Sequence, residues 1–117
     1  MLLTIDIGNT NITLGLYNGN ELGPRWRLAT AYDHMPDEYG LQLLGLLEHA
    51  GHTQADVTGI CIASVVPPIT GKIIEACKRY INMDPLVVDT GVKTGVRVRY
   101  EDYASWLQQR TVPAKER

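Results

Sequence analysis

Hydrophobic and polar positions alternate along the first part of the chain in a way that predicts three strands. Residues 2–7 form an apolar run interrupted by one carboxylate, Asp6, and residues 11–17 form a second apolar run. Residues 21–30 alternate between apolar side chains and arginines, as expected of a half-buried strand. An Asn-Gly-Asn turn at residues 18–20 joins the second run to the third. Such short connections predict that the three strands are antiparallel neighbours.

The periodicity then changes to that of helices alternating with buried strands. Pro36, followed by two acidic residues, marks the start of a first helix, and Gly51 marks its end. Pro67 and Pro68 open a second helix with one apolar side and one charged side. Two further apolar runs predict buried strands at residues 59–66 and 86–88. Alternation of apolar residues with arginines predicts a last strand at residues 96–100.

This order of elements predicts an α/β fold in which three antiparallel strands are followed by alternating helix and parallel strand. The βββαβα order is that of a ribonuclease H-like domain, which is the half-unit of the actin-like ATPase fold. We expect the fourth and fifth strands to be parallel because each is reached through a helical crossover.

The turn between the first two strands carries the candidate chemistry. Asp6 lies near the end of the first strand, and Gly8, Asn9 and Thr10 form the turn. Glycine lets a backbone come close to a ligand, and successive turn N–H groups form an anion-binding concavity. A carboxylate beside a phosphate requires a cation between them, and Mg²⁺ bridges carboxylates to phosphate oxygens. The residues favour a phosphate-binding turn; a plain hairpin turn suited to Asn and Gly is the alternative.

Four short motifs follow one another along residues 1–102. They are Asp6-Ile7-Gly8-Asn9-Thr10-Asn11, residues 63–68, residues 85–89, and residues 91–96 running into Tyr100. In this order and spacing they resemble the first domain of the type III pantothenate kinases, in the superfamily of sugar kinases, heat-shock ATPases and actin. The resemblance implies a cytoplasmic transferase that phosphorylates pantothenate with ATP, at the start of coenzyme A synthesis.

The resemblance also implies roles for particular residues. Asp6 would organise Mg²⁺ through water, and Tyr100 and Arg110 match positions that contact pantothenate in the family. Gln109 stands where the family has the aspartate that accepts the proton of the pantothenate hydroxyl, and an amide cannot accept a proton as a carboxylate can. No catalytic residue is therefore expected in this chain. The ATP phosphates would be bound by Asp6, Ile7, Gly8, Asn9, Thr10, Asn11, Ile12 and Thr13.

The same resemblance divides the chain into a nucleotide-phosphate-binding domain at residues 1–102 and a divergent tail at residues 103–117. In the family a second domain follows, which supplies the adenine pocket, a site for a monovalent cation (K⁺ or NH₄⁺) and further dimer contacts. We therefore expect a truncated part of a homodimeric kinase, inactive by itself. A non-catalytic remnant that binds phosphate or oligomerises is the alternative.

Composition bears on the remaining classes of function. With 117 residues, 44% of them hydrophobic and 21% charged, the chain can form one domain with a core. Its formal net charge of -2 provides no basic surface for nucleic acid or an anionic membrane. We see no apolar run near the ~20 residues of a membrane span and no signal-peptide pattern. ATP, pantothenate and a second subunit are the expected partners, and neither nucleic acid nor a membrane is expected.

Cysteines, histidines and carboxylates complete the expectations. Cys61 and Cys77 lie in apolar patterns and are expected to be buried thiols in a reducing compartment, and the histidines are expected at the surface.

A ribonuclease H-like nuclease needs several carboxylates around two metal ions. Asp6 could be one of them, but the fourth strand reaches Ser64 and Val65 without an acid. This pattern disfavours a nuclease.

Overall fold

A computed structural model describes residues 1–88, and these form one five-stranded sheet with helices. The strands are β1 (Leu2–Ile7), β2 (Asn11–Asn18), β3 (Glu21–Ala29), β4 (Gly59–Ser64) and β5 (Leu86–Val88). The helices are α1 (Pro36–His49) and α2 (Pro67–Ala76), with a 3₁₀ turn at Gln54–Asp56 and a π-helical turn at Cys77–Ile81. The predicted strand at residues 96–100 lies outside the described residues.

The strand order in the sheet is β3-β2-β1-β4-β5. Strand β1 pairs antiparallel with β2, and β2 with β3, whereas β1–β4 and β4–β5 are parallel pairs. The predicted α/β half-domain of the ribonuclease H-like type is therefore confirmed. Because β1 and β4 are parallel, their carboxyl ends meet at one edge of the sheet, where Ile7 lies opposite Ser64.

The two faces of β1 have different surroundings. Leu3, Ile5 and Ile7 are buried in the main core, which both helices also join. Successive side chains of a strand point to opposite faces, so Asp6 lies on the face away from this core. The main core consists of Leu3, Ile5, Ile7, Ile12, Leu14, Leu16, Tyr39, Leu43, Leu47, Val57, Ile60, Ile62, Val66, Ile69, Ile73, Ala76, Cys77 and Ile81.

Helix α1 begins and ends close to its predicted limits. Glu38 Oε1 accepts a hydrogen bond from the Met35 N–H at 2.8 Å, which satisfies a backbone donor before the first turn. At the other end Gly51 has φ +84°, and its N–H donates to Glu48 O at 2.9 Å. A left-handed glycine is a common helix terminator, so the predicted stop at Gly51 is confirmed.

The structure corrects two expectations. Strand β4 ends at Ser64 and not at residue 66, because Ser64 Oγ accepts the Val66 N–H at 2.9 Å and the backbone leaves the ladder there. Two histidines are half-buried: the side chains of His34 and His52 are 30% and 28% exposed, and each faces a carboxylate four residues later in the sequence. The burial of Cys61 and Cys77 is confirmed.

Candidate functional site

The β1–β2 turn (Gly8–Thr10) closes through one backbone hydrogen bond. Gly8 N–H donates to Asn11 O at 2.9 Å. A Cβ at residue 8 would lie 3.1 Å from the same Asn11 oxygen, so glycine is the residue that fits this closure without crowding. The side chains of Asn9, Thr10 and Asn11 are exposed around it.

Two backbone N–H groups of this turn can donate hydrogen bonds to a ligand. Within residues 1–88, the N–H groups of Asn9 and Thr10 donate to no protein acceptor. Asn11 Nδ2 donates to Thr10 Oγ1 at 3.2 Å, which fixes the hydroxyl beside them. Adjacent unpaired N–H groups in a turn form a concavity with positive potential. The local arrangement can therefore bind an anionic oxygen.

Asp6 lies two residues before the turn, on the sheet face away from the main core. Its neighbours across the sheet are Thr13 on β2 and Ala63 on β4. Thr13 is in turn paired with Arg27 on β3, so a carboxylate, a hydroxyl and a guanidinium follow one another across one face. They line a cavity of about 400 Å³ together with Thr4, Leu14, Gly15, Tyr17, Leu22, Arg25 and Trp26.

Two of the predicted phosphate-binding residues have their side chains elsewhere. Ile7 and Ile12 face each other across β1 and β2 and are 3% and 1% exposed in the main core. Only their backbone groups could take part in binding, and Ile7 O already accepts the Val65 N–H at 3.1 Å. The structure brings together the other predicted positions at this end of the hairpin: Asp6, Gly8, Asn9, Thr10, Asn11 and Thr13.

The start of α2 lies at the same sheet edge but offers no backbone donor to an anion. Its first two residues, Pro67 and Pro68, have no N–H. The next two N–H groups, of Ile69 and Thr70, are both directed to Val66 O, at 3.0 and 3.1 Å. A helix start normally binds anions through its free N–H groups. Among the residues described, the start of α2 therefore adds no free backbone N–H group to those of the β1–β2 turn.

Three residues that the sequence did not indicate contact the turn or its support. Thr30 Oγ1 donates to Gly8 O at 2.7 Å, and Tyr32 Oη donates to Asn9 O at 3.0 Å. Lys72, on the charged side of α2, donates through Nζ to the carbonyl oxygens of Tyr32 and His34, both at 2.8 Å. These partners lie more than twenty residues apart in sequence, so local periodicity gives no signal for them.

The carboxylate of Asp6 fits a metal ion only in company with a ligand. Within residues 1–88, no group of three or more His, Cys, Asp and Glu side chains is placed to hold a metal ion. Mg²⁺ in phosphate sites is commonly held by one or two carboxylates, water and the phosphates themselves. Asp6 therefore suits a Mg²⁺ ion that arrives with a triphosphate. Tyr100, Gln109 and Arg110 lie outside the described residues.

A family model and three curated relatives of this chain carry the same family description. A family model described as type III pantothenate kinase matches residues 2–109. The type III pantothenate kinases of Geobacillus kaustophilus and Thermomicrobium roseum are 42% and 50% identical over 102 and 101 residues, which is 87% and 86% of this chain. That of Halalkalibacterium halodurans is 41% identical over 102 residues.

The matched region is only part of each relative. The chain spans about 40% of the length of these curated relatives. Within residues 1–88, no helix is long and apolar enough to cross a membrane. The family model covers more than nine-tenths of the chain, and it includes the β1–β2 turn and Asp6. The chain belongs to the type III pantothenate kinase family.

Proposed function

We propose that this chain is the phosphate-binding part of a cytoplasmic kinase that transfers a phosphoryl group from ATP to pantothenate. Membership of the family supports the reaction class. The observation that carries the assignment to this part is the β1–β2 turn, close in sequence to Asp6, with two N–H groups that donate to no acceptor within residues 1–88. Residues 1–102 would form the phosphate-binding domain, and residues 103–117 would be a divergent tail.

Phosphoryl transfer depends mainly on positioning and on neutralisation of phosphate charge. The N–H groups of Asn9 and Thr10 would hold phosphate oxygens, and Asp6 would hold the water shell of Mg²⁺. When bound, Mg²⁺ supplies positive charge between the phosphates. Arg27, on the same sheet face beyond Thr13, adds a permanent positive charge near the proposed phosphate position.

The acceptor and the partner subunit would contact other parts of the family's enzyme. Tyr100 and Arg110 are proposed to bind pantothenate, and a homodimer is proposed as the assembly. The adenine pocket and the K⁺ or NH₄⁺ site are proposed for a second domain, since the chain spans only 39–40% of the length of its relatives. Sedimentation velocity at micromolar concentration tests the homodimer, and a single monomeric species would contradict it.

Binding of triphosphate tests the phosphate site directly. We expect isothermal titration calorimetry to detect Mg²⁺-dependent binding of ATP and of inorganic triphosphate, at about millimolar affinity or weaker because the proposed contacts are to the phosphates and their Mg²⁺ ion only. Asp6→Asn should abolish the Mg²⁺ dependence. Asp84→Asn removes a carboxylate that is 78% exposed and pairs with Lys78, so it is the matched control and should bind as the wild type does. Equal binding by the Asp6→Asn variant would overturn the proposal.

A non-catalytic phosphate-binding protein is the second candidate. Gln109, in the position of the family's proton-accepting aspartate, favours it. Both candidates require the phosphate site, and they differ in turnover. An assay for phosphopantothenate formation therefore separates them.

A further inference from the structure

We propose that Tyr32 and Lys72 are positioning residues for the phosphate-binding turn. Lys72 would hold the segment after β3 against helix α2, and this segment would hold the carbonyl groups of the β1–β2 turn. The role rests on the proposed function, because it matters for binding only if the turn receives a phosphate. We refer to Thr30, Tyr32 and Lys72 together as the turn brace.

Two residues of the turn brace, Thr30 and Tyr32, make hydrogen bonds to all three carbonyl groups of the β1–β2 turn. Thr30 Oγ1 donates to Gly8 O at 2.7 Å, and Thr30 N–H donates to Thr10 O at 2.9 Å. Tyr32 Oη donates to Asn9 O at 3.0 Å. Every carbonyl group of the turn is thus held by the segment that directly follows β3.

Fixing these carbonyl groups also fixes the donors. A trans peptide is planar, so the carbonyl of one residue and the N–H of the next point in opposite directions. The bond to Gly8 O therefore sets the direction of the Asn9 N–H, and the bond to Asn9 O sets that of the Thr10 N–H. These are the two N–H groups with no acceptor within residues 1–88. The brace directs both away from Thr30 and Tyr32, where an anion can reach them.

A second set of hydrogen bonds holds the segment after β3 against the two helices. Lys72 Nζ donates to Tyr32 O and to His34 O, both at 2.8 Å, and a charged donor makes the stronger kind of hydrogen bond. Tyr39 on α1 holds the neighbouring residue: its hydroxyl donates to Ala31 O at 2.7 Å and accepts the Ala31 N–H at 3.2 Å. Burial raises the pKa of Tyr39, which keeps that hydroxyl protonated as a donor. Both helices therefore hold the segment.

The exposure of Tyr32 argues against a role in the core. Its side chain is 51% exposed, and its hydroxyl makes the hydrogen bond to the turn. Removing the hydroxyl should therefore affect the turn more than the stability of the fold. The comparison between the effect on the turn and the effect on stability separates a positioning role from a structural one.

The test compares Tyr32→Phe with Tyr80→Phe. The first variant loses the hydrogen bond to Asn9 O, and the control loses one to Asp37 Oδ1 on α1. Amide NMR without ligand should show displaced Asn9 and Thr10 resonances in Tyr32→Phe and unchanged ones in Tyr80→Phe. Mg²⁺-triphosphate affinity should fall about three- to tenfold in Tyr32→Phe, the range for one lost hydrogen bond.

Lys72 is tested in the same way, with Lys78 as its control. Lys72→Met should displace the same two amide resonances, and Lys72→Arg should restore them in part because a guanidinium can donate to both carbonyl groups. Lys78→Met removes an ion pair with Asp84 and should leave them in place. Unchanged Asn9 and Thr10 resonances in Tyr32→Phe and Lys72→Met would overturn the brace. Failure of the wild-type chain to bind triphosphate would instead overturn the proposed function, because the NMR comparison needs no ligand.

Discussion

The ring of Tyr80 lies directly against the backbone of Gly40, at a distance where a Cβ on residue 40 would overlap the ring. Tyr80 belongs to the π-helical turn after α2, and its hydroxyl donates to Asp37 Oδ1 at 2.8 Å. This bond, followed by that from Arg79, lowers the pKa of Asp37. The absence of a side chain at Gly40 thus sets how closely α1 approaches the end of α2.

Gly40→Ala should destabilise the protein although alanine favours helices. Overpacking in a filled contact costs about 1–3 kcal/mol, which exceeds the ~1 kcal/mol gained from helix propensity. Gly45→Ala on the same helix is the control, since a Cβ at residue 45 would meet no neighbouring side chain within 4 Å among the described residues; it should stabilise by about 0.5–1 kcal/mol. Urea denaturation measures both. Equal effects of the two substitutions would contradict the contact.

The apolar runs of β1 and β2 predicted both strands and their antiparallel pairing, and the structure adds the face on which Asp6 lies. Leu3, Ile5 and Ile7 could be buried together only if Asp6 lay on the other face. The support of the turn could not be predicted in this way. Lys72 and Tyr32 are separated by 40 residues and meet through the packing of α2, which leaves no local periodicity.

The limits of β4 show a second reason for error. Residues 59–66 are an unbroken apolar run, which fits a buried strand, but the hydroxyl of Ser64 competes for the backbone and ends the ladder. A run of apolar residues predicts burial, and Val66 is indeed only 4% exposed. It does not distinguish a strand from the buried turn that follows it.

The thiol of Cys77 should make stability depend on pH in the alkaline range. Burial raises the pKa of Cys77 from 9.0 to about 12, so between these values the folded chain keeps the proton and the unfolded chain loses it. The contribution is full below pH 9 and is lost as pH rises towards about 12. The free energy of unfolding should fall by up to ~1.4 kcal/mol per pH unit from this group.

Urea denaturation between about pH 8.5 and 10.5 measures this dependence, since the range begins below the unfolded pKa. Cys77→Ala keeps the other titrating groups, so the difference between its curve and that of the wild type isolates the thiol. We expect the wild type to lose more stability over this range than the variant. Parallel curves would show that the folded environment does not hold the proton on Cys77.

Asn82 should tolerate glycine and reject a β-branched residue. It follows the π-helical turn with φ +59° and ψ +42°, in the left-handed region. Asn82→Gly should leave stability equal or slightly higher, whereas Asn82→Val should lower it by about 1–2 kcal/mol. Asn20→Val, at an exposed turn position without positive φ, should change it less. Thermal denaturation of the three variants gives the order, and a harmless Asn82→Val would refute the argument from backbone strain.

The chain expressed as these 117 residues should form no measurable phosphopantothenate. General-base assistance is worth ~10²–10⁴-fold in rate. We propose that Gln109 stands at the position of the proton acceptor, and an amide cannot supply this assistance. The chain spans only about 40% of the length of its relatives. We propose that the adenine pocket belongs to the part that it does not match, so that ATP would be held mainly by its phosphates. Precise approach of the reacting groups provides most of the rate in phosphoryl transfer.

A coupled assay with Mg²⁺ and K⁺, run beside Asp6→Ala, tests this expectation. Turnover that needs both ATP and pantothenate and disappears in Asp6→Ala would show that the phosphate site works without a carboxylate at residue 109. Triphosphate binding without turnover is the result we expect. It would mean that holding the phosphates at the β1–β2 turn is separable from catalysis. Within residues 1–88, β1, β2, Thr30 and Tyr32 hold this turn.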